Sequence, residues 1–252
     1  MQRYFVPENN WKENSIKIKD EDAHHIARVM RCNPGDKIVC VHPDGQVAKC
    51  QIHTIEKNEV NVQIIEWLDE NTELPVHVTI VQGLPKGNKL EFILQKGTEL
   101  GAAEFWLWKS DRSIVKWDDK KSAQKIKRYC KIIKEASEQC HRNKIPNLKE
   151  PMTIDQIIQA SNEYDVKLFA YEEEARTADY VSLSSHLIEV SSDNSIIICI
   201  GPEGGLSSEE VSTLKKNHFI PVRLGPRILR TETASLYALA GISYHFEELR
   251  WN

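Results

Sequence analysis

No apolar run in this chain approaches the roughly 20 residues that a membrane-spanning helix needs. The opening Met1-Gln2-Arg3-Tyr4 lacks the apolar core of a signal peptide, so a cytoplasmic protein is expected. No C-x-x-C pair occurs among the six cysteines, which lie scattered at 32, 40, 50, 130, 140 and 199. That spacing predicts reduced, mostly buried thiols and no metal site. His24 and His25 are adjacent and so do not share a helix face, and no ligand partners follow them. Neither G-x-G-x-x-G nor G-x-x-x-x-G-K-[ST] is present, which removes the standard dinucleotide and triphosphate cradles. Internal repeats and low-complexity tracts are also missing.

What is there is a globular composition, 40% hydrophobic and 28% charged, on a chain long enough for one large domain or two modest ones. The net charge of −4 hides an uneven distribution. Residues 83–150 carry 16 Lys+Arg against 9 Asp+Glu, whereas 1–72 carry 9 against 12 and 151–252 carry 8 against 15. A positive segment of this kind is either a solvated helix face or a nucleic-acid surface.

Residues 1–72 read as a small β-rich domain, with short strands at Tyr4 to Val6, Ser15 to Ile18, Lys37 to Val41, Val47 to Ile55 and Glu59 to Trp67. Pro43-Asp44-Gly45 is a turn signature, and one helix from about Glu21 to Arg31 takes Asp20 as its cap. A polar stretch ending at Pro75 places a domain boundary after residue 72, leaving 73–252 as a second domain. Its strands and helices alternate, which predicts an α/β fold with a mainly parallel sheet. Strands are expected at Val76 to Val81, Phe105 to Trp108 and Val166 to Ala170. Helices are expected at Lys89 to Leu100, Lys120 to Cys140 and Ile154 to Ala160. Arg112 and Arg142, with Trp106, Trp108 and Trp117 nearby, combine charge for phosphates with planes for stacked bases; Trp106 and Trp108 point the same way in a regular strand, so core packing is the other reading for at least one of them. Glu172-Glu173-Glu174 reads as a solvated acidic turn, and 175–194 carry little pattern.

The most informative stretch is Ser195 to Ala240. Ile196 to Ile200 is an unbroken β-branched run, the pattern of a strand buried on both faces. It ends in Gly201-Pro202-Glu203-Gly204-Gly205, after which Ser207 and Glu210 form a capping box. A short strand, Ile220 to Leu224, precedes a second tight segment, Gly225 to Arg230, and Thr231 is placed to cap the final helix. Two Gly-rich loops thus leave the carboxyl ends of two strands, where open α/β sheets bind ligands. Glu203 opposes a phosphate ligand. A ligand with an uncharged purine and a cationic end suits the loops better, and S-adenosylmethionine has both; glycines needed only for tight turns are the other reading.

G-P-E-G-G at 201–205 and L-G-P-R-I-L-R-T-E-T-A at 224–234 resemble the two signature motifs of the RsmE-type methyltransferases of the SPOUT superfamily. Q-G-L-P-K-G-N-K-L-E (82–91), S-D-R-S (110–113) and E-Q-C-H-R-N-K-I-P (138–146) extend the likeness over nearly the whole chain. The resemblance implies an N-terminal PUA-like β-barrel at 1–72 and a C-terminal SPOUT domain at 73–252 with a trefoil knot. It implies methyl transfer from S-adenosylmethionine to N3 of a uridine in small-subunit ribosomal RNA, free or in an assembling ribosomal particle. SPOUT enzymes generally dimerise, and the final helix (Leu236, Tyr237, Leu239, Ala240, Tyr244, Phe246) carries more apolar faces than one sheet contact uses. The alternatives are another RNA target, such as a transfer-RNA ribose 2′-hydroxyl, or a non-catalytic RNA-binding protein.

The expected cofactor contacts are Gly201, Pro202, Glu203, Gly204 and Gly205 in one loop, and Leu224, Gly225, Ile228, Leu229 and Thr233 in and after the other. Lys86, Arg112 and Arg142 are expected on RNA phosphates. Methylating N3 of uridine requires loss of its imide proton, and neither loop holds a His to take it. A guanidinium can instead stabilise the anion that develops, which makes Arg230 the expected catalytic residue, with Arg112 next and Glu232 as the group that orients Arg230.

Overall fold

The computed structural model describes residues 1–115, 117, 119–171 and 182–249. The chain divides into two compact units, Met1–Glu73 with Ser137–Ile145, and Leu74–Ala136 with Pro146–Asn252. The first unit therefore includes a segment that returns to it from far along the chain, which the boundary after residue 72 does not anticipate.

In the first unit, β1 (Arg3–Phe5), β2 (Trp11–Lys12), β3 (Ser15–Lys19), β4 (Lys37–Val41), β5 (Val47–Ile55) and β6 (Glu59–Leu68) form one six-stranded sheet in the order β1-β4-β5-β6-β3-β2. All its pairs are antiparallel except β1 with β4. Alternation sends Ile16, Ile18, Ile38, Cys40, Ile52, Val60 and Val62 into one core, joined by Ile26. Ile26 lies in the π-helical turn (His25–Val29) that follows the short helix α1 (Asp20–His24). Asp20 does not cap that helix; Lys19 holds the cap position and Asp20 is its first residue, at φ +55°. His25 is occupied by the Tyr4 hydroxyl, 2.9 Å from Nδ1.

The returning segment is stitched in by polar contacts. Glu73 binds the Arg142 guanidinium and accepts from the amides of Asn143 at 2.9 Å and Lys144 at 3.0 Å. Asn143 donates to the carbonyls of Gly45 (3.0 Å) and Glu70 (2.9 Å) and accepts from the Thr72 amide (3.0 Å). Arg3, itself buried, donates to the His141 carbonyl at 2.8 Å and pairs with Glu70.

The second unit is built on a parallel sheet of order β12-β10-β11-β7-β8-β9. Its strands are β7 (His77–Gly83), β8 (Glu104–Trp108), β9 (Asn147–Met152), β10 (Val166–Ala170), β11 (Ser195–Ile200) and β12 (Ile220–Val222). Its helices are α2 (Lys89–Glu99), α3 (Asp119–Gln139), α4 (Ile154–Ala160), α5 (Leu183–Leu187), α6 (Ser208–Lys216) and α7 (Thr231–Ser243), the last continuing as a π-helical stretch, Tyr244–Leu249. β9, which holds Pro151, escapes the pattern reading; it is an edge strand, where a missing amide costs no ladder bond. Along β11, Ile196, Ile198 and Ile200 enter one core while Ile197 and Cys199 enter the other, so the strand is covered on both faces. Trp106 and Trp108 are both buried in that second core, and Trp117 is partly buried against the first. None of the three is a free stacking plane, because strand alternation turned both β8 tryptophans inward. The acidic triplet 172–174 lies outside the described residues.

Candidate functional site

The two Gly-rich loops leave the carboxyl ends of β11 and β12 and enclose a cleft of about 610 Å³, within the size range of small-molecule sites. Gly201 to Leu206 form one wall and Leu224, Gly225 and Arg227 to Thr231 the other, with Lys89, Arg112, Tyr171 and Ala234 completing it. Of the expected cofactor contacts, Thr233 alone is absent from the lining; it is exposed on α7, pointing away because its neighbours Ala234 and Ser235 take the buried face.

The first wall is held by short-range chemistry and by close approach. Gly205 sits at φ +71°, a conformation that favours glycine. A Cβ on Gly83, at the end of β7, would lie 2.7 Å from the Pro202 nitrogen, so this glycine lets the loop lie against the strand. Ser207 caps α6 as expected, accepting from the Glu210 amide at 3.1 Å, while Glu210 accepts from the Ser207 amide at 2.8 Å. The same pair binds the S-D-R-S turn: Ser207 donates to Asp111 at 2.7 Å and the Asp111 amide donates to Glu210 at 2.9 Å. Arg112 then donates to the Gly204 carbonyl at 3.1 Å.

Beneath the cleft lies a buried polar network. Gln82 donates to the Thr231 hydroxyl and to the Gly83 carbonyl, both at 2.9 Å, and accepts from Ser235 at 2.5 Å. Thr231 donates to the Gly201 carbonyl at 2.6 Å. Thr231 is therefore not the helix cap. Arg230 holds that position without a side-chain cap, and Thr231, one residue later, ties α7 to the first loop.

The charges at the rim are arranged unequally. Lys89 Nζ lies 2.9 Å from Glu203 and 3.2 Å from Glu232. Burial tends to raise the Glu203 carboxyl, but the Lys89 ammonium and the amides of Glu203 and Lys86 outweigh it and hold the group below its ordinary range. Lys89 is raised by its bond to Glu203, against desolvation and with further help from Glu232. Arg230 is exposed in the cleft lining, and no carboxylate among the described residues pairs with it. Glu232, expected to orient Arg230, is instead held by Lys89.

Among the expected phosphate contacts, Lys86 and Arg112 are exposed. Arg142 is only 4% exposed and already neutralised by Glu73, so it frames the first unit. Sequence reasoning missed Gln82, Ser235 and Lys89 as site residues. A lone Gln closing the apolar run of β7 is the signal that was available.

An RNA methyltransferase domain is matched over residues 72–243, and an RNA methyltransferase PUA domain over residues 18–65. The ribosomal RNA small subunit methyltransferase E of Bacillus subtilis is 45% identical, covering 99% of both chains. The chain belongs to this RNA methyltransferase family. A second relative, from Synechocystis, is 31% identical over 92% of this chain and 73% of its own. Among solved structures, the methyltransferase E of Neisseria gonorrhoeae, bound to S-adenosylmethionine, superposes with a TM-score of 0.86 at 27% identity over 98% of each chain. Among the described residues no helix is long and apolar enough to cross a membrane, and no group of three or more His, Cys, Asp or Glu could hold a metal ion.

Proposed function

We propose that the cleft binds S-adenosylmethionine and that the protein methylates N3 of a uridine in small-subunit ribosomal RNA, acting in the cytoplasm. The observation that carries the reading is the cleft between 201–206 and 224–231 with the exposed Arg230 guanidinium on its wall. The relatives add the substrate class, since the proteins named above are small-subunit ribosomal RNA methyltransferases and one holds the cofactor.

The residues present fit that cofactor. Leu224, Ile228 and Leu229 offer apolar walls for an adenine, and the ionised Glu203 favours a cationic ligand over a phosphate. The cofactor, when bound, supplies an electrophilic methyl group. The protein's part is electrostatic. As N3 loses its proton to water, negative charge spreads to the flanking carbonyl oxygens. Arg230, permanently charged and planar, can donate paired hydrogen bonds to that anion. Arg112 fixes the first loop through Gly204, while its exposed charge and that of Lys86 meet phosphates.

A homodimer belongs to this reading. α7 buries Ala238, Leu239 and Ile242 within its own unit, yet Tyr237 on it and Tyr244 at the start of the π-helical stretch stay on the outside, 43% and 57% exposed. Such a stripe suits a second copy of the chain. The trefoil knot is carried as part of the same family reading.

The test is identification of the product. Unmodified small ribosomal subunits are incubated with labelled cofactor and the nucleosides are separated. Label in 3-methyluridine is expected. Label in a ribose-methylated nucleoside, or none, overturns the assignment.

A further inference from the structure

Lys89 opens α2 at the rim of the cleft, and its ammonium meets two carboxylates at once, Glu203 at 2.9 Å and Glu232 at 3.2 Å. Glu203 comes from the loop after β11 and Glu232 from the first turn of α7, so one cation joins three separate segments. Arg230 lies two residues before Glu232 and lines the same cleft as Glu203. Glu203 lines the same cleft as this exposed guanidinium and Glu232 stands two positions from it at the start of one helix, so either carboxylate, once unpaired, attracts it. A guanidinium forked onto a carboxylate has spent its donors and most of its charge, and offers little to a developing anion.

We propose that Lys89 is a positioning residue for methyl transfer: by holding Glu203 and Glu232 it keeps the Arg230 guanidinium free for the substrate. The inference rests on the role given to Arg230 above. Without Lys89 the two carboxylates are not equal. Glu203 still accepts from the Lys86 amide at 3.1 Å, whereas Lys89 is the cation that holds Glu232 among the described residues. Glu232 is thus the group that would swing to Arg230.

The experiment measures methyl transfer to unmodified small ribosomal subunits, together with calorimetric cofactor affinity, for the wild type, Lys89→Met, Lys89→Met with Glu232→Gln, and Arg230→Ala. Lys89→Met is expected to lower kcat about tenfold, part of the loss of order a hundredfold that removal of a charge-stabilising donor brings. Cofactor affinity is expected to be unchanged, and adding Glu232→Gln is expected to restore most of the rate. A merely structural Lys89 would give no rescue, and that result overturns the proposal. So does a full rate in Lys89→Met, or a fall in cofactor affinity that tracks the fall in rate. Should Lys89→Met fold poorly, Lys89→Gln meets the same criteria. Full activity in Arg230→Ala sinks the underlying role of Arg230; an inactive Arg230→Ala beside a fully active Lys89→Met sinks this inference alone.

Discussion

Gln82 donates a hydrogen bond to the Thr231 hydroxyl at 2.9 Å, across 149 positions of sequence and with both side chains buried. Through Thr231 the contact continues to the Gly201 carbonyl, so the end of β7, the loop after β11 and the start of α7 are held as one piece. Replacing Gln82 by Leu removes the donor to the Thr231 hydroxyl and the acceptor of the Ser235 hydroxyl, leaving Thr231 only its bond to Gly201 and Ser235 only a longer one to the Thr231 carbonyl at 3.3 Å. The expected cost is about 1–3 kcal/mol, a fall of roughly 2–10 °C in thermal midpoint. Cofactor affinity should fall with it, because the network frames both walls; a scan and a calorimetric titration check the two together.

The glycines predict an order of severity. A Cβ on Gly83 meets the Pro202 nitrogen at 2.7 Å, backbone that cannot turn aside, whereas one on Gly204 meets Arg112 Cβ at 3.0 Å and the Arg112 carbonyl oxygen at 3.3 Å, a milder overlap that a shift of a few tenths of an ångström relieves. Gly83→Ala should therefore destabilise the fold more than Gly204→Ala. Gly204→Val should instead push Arg112 off its bond to the Gly204 carbonyl and weaken cofactor binding about tenfold or more. Unchanged affinity in a folded Gly204→Val protein would remove this loop from the cofactor site.

The rim charges set a pH window. The Glu203 carboxyl is lowered from its ordinary 4.5, so its contribution is present above that value and is lost as pH falls through the lowered one. Lys89 is raised from 10.5, so its contribution is present below that value and is lost as pH rises through the raised one. Cofactor affinity should hold steady above about pH 5 and drop below it, while the loss of the Lys89 charge above about pH 10 should weaken the rim ion pair and not cofactor affinity. Titrations across that range with Glu203→Gln should lose the acid limb; an unaltered acid limb would show that another group governs it.

Arg142 and the pair Lys86 and Arg112 should separate cleanly. Arg142→Gln leaves the partly buried Glu73 without its cation and should cost about 1–3 kcal/mol of stability, with the salt dependence of RNA binding unchanged. Lys86→Ala and Arg112→Ala should each lower that salt slope by about 0.7–0.9. Filter binding over a range of salt concentrations is the measurement, and equal slopes in all variants would return these charges to folding or solubility.

What was legible in the residues was local. The β-branched run of Ile196 to Ile200, the Ser207 and Glu210 capping box and the two loops are all specified within a few positions of themselves, and the structure places them as read. What was not legible depends on partners far away. Nothing beside Arg142 shows that Glu73, 69 positions earlier, will neutralise it. Nothing beside Thr231 shows that its hydroxyl will be taken by Gly201 instead of capping α7. Trp106 and Trp108 look like stacking planes beside basic residues until the faces of β8 are both known to be covered. Lys89 was hidden for the same reason, since its two carboxylates come from a loop and a helix more than 110 residues away.

The role of Arg230 is tested most directly by Arg230→Lys, which keeps the charge and loses the planar fork. Turnover on unmodified small ribosomal subunits and cofactor affinity by calorimetry are measured on the same preparation. The expected result is a fall in turnover of at least about tenfold with cofactor affinity unchanged, because the fork acts on the anion and not on the methyl donor. Wild-type turnover in Arg230→Lys and in Arg230→Ala would contradict the account.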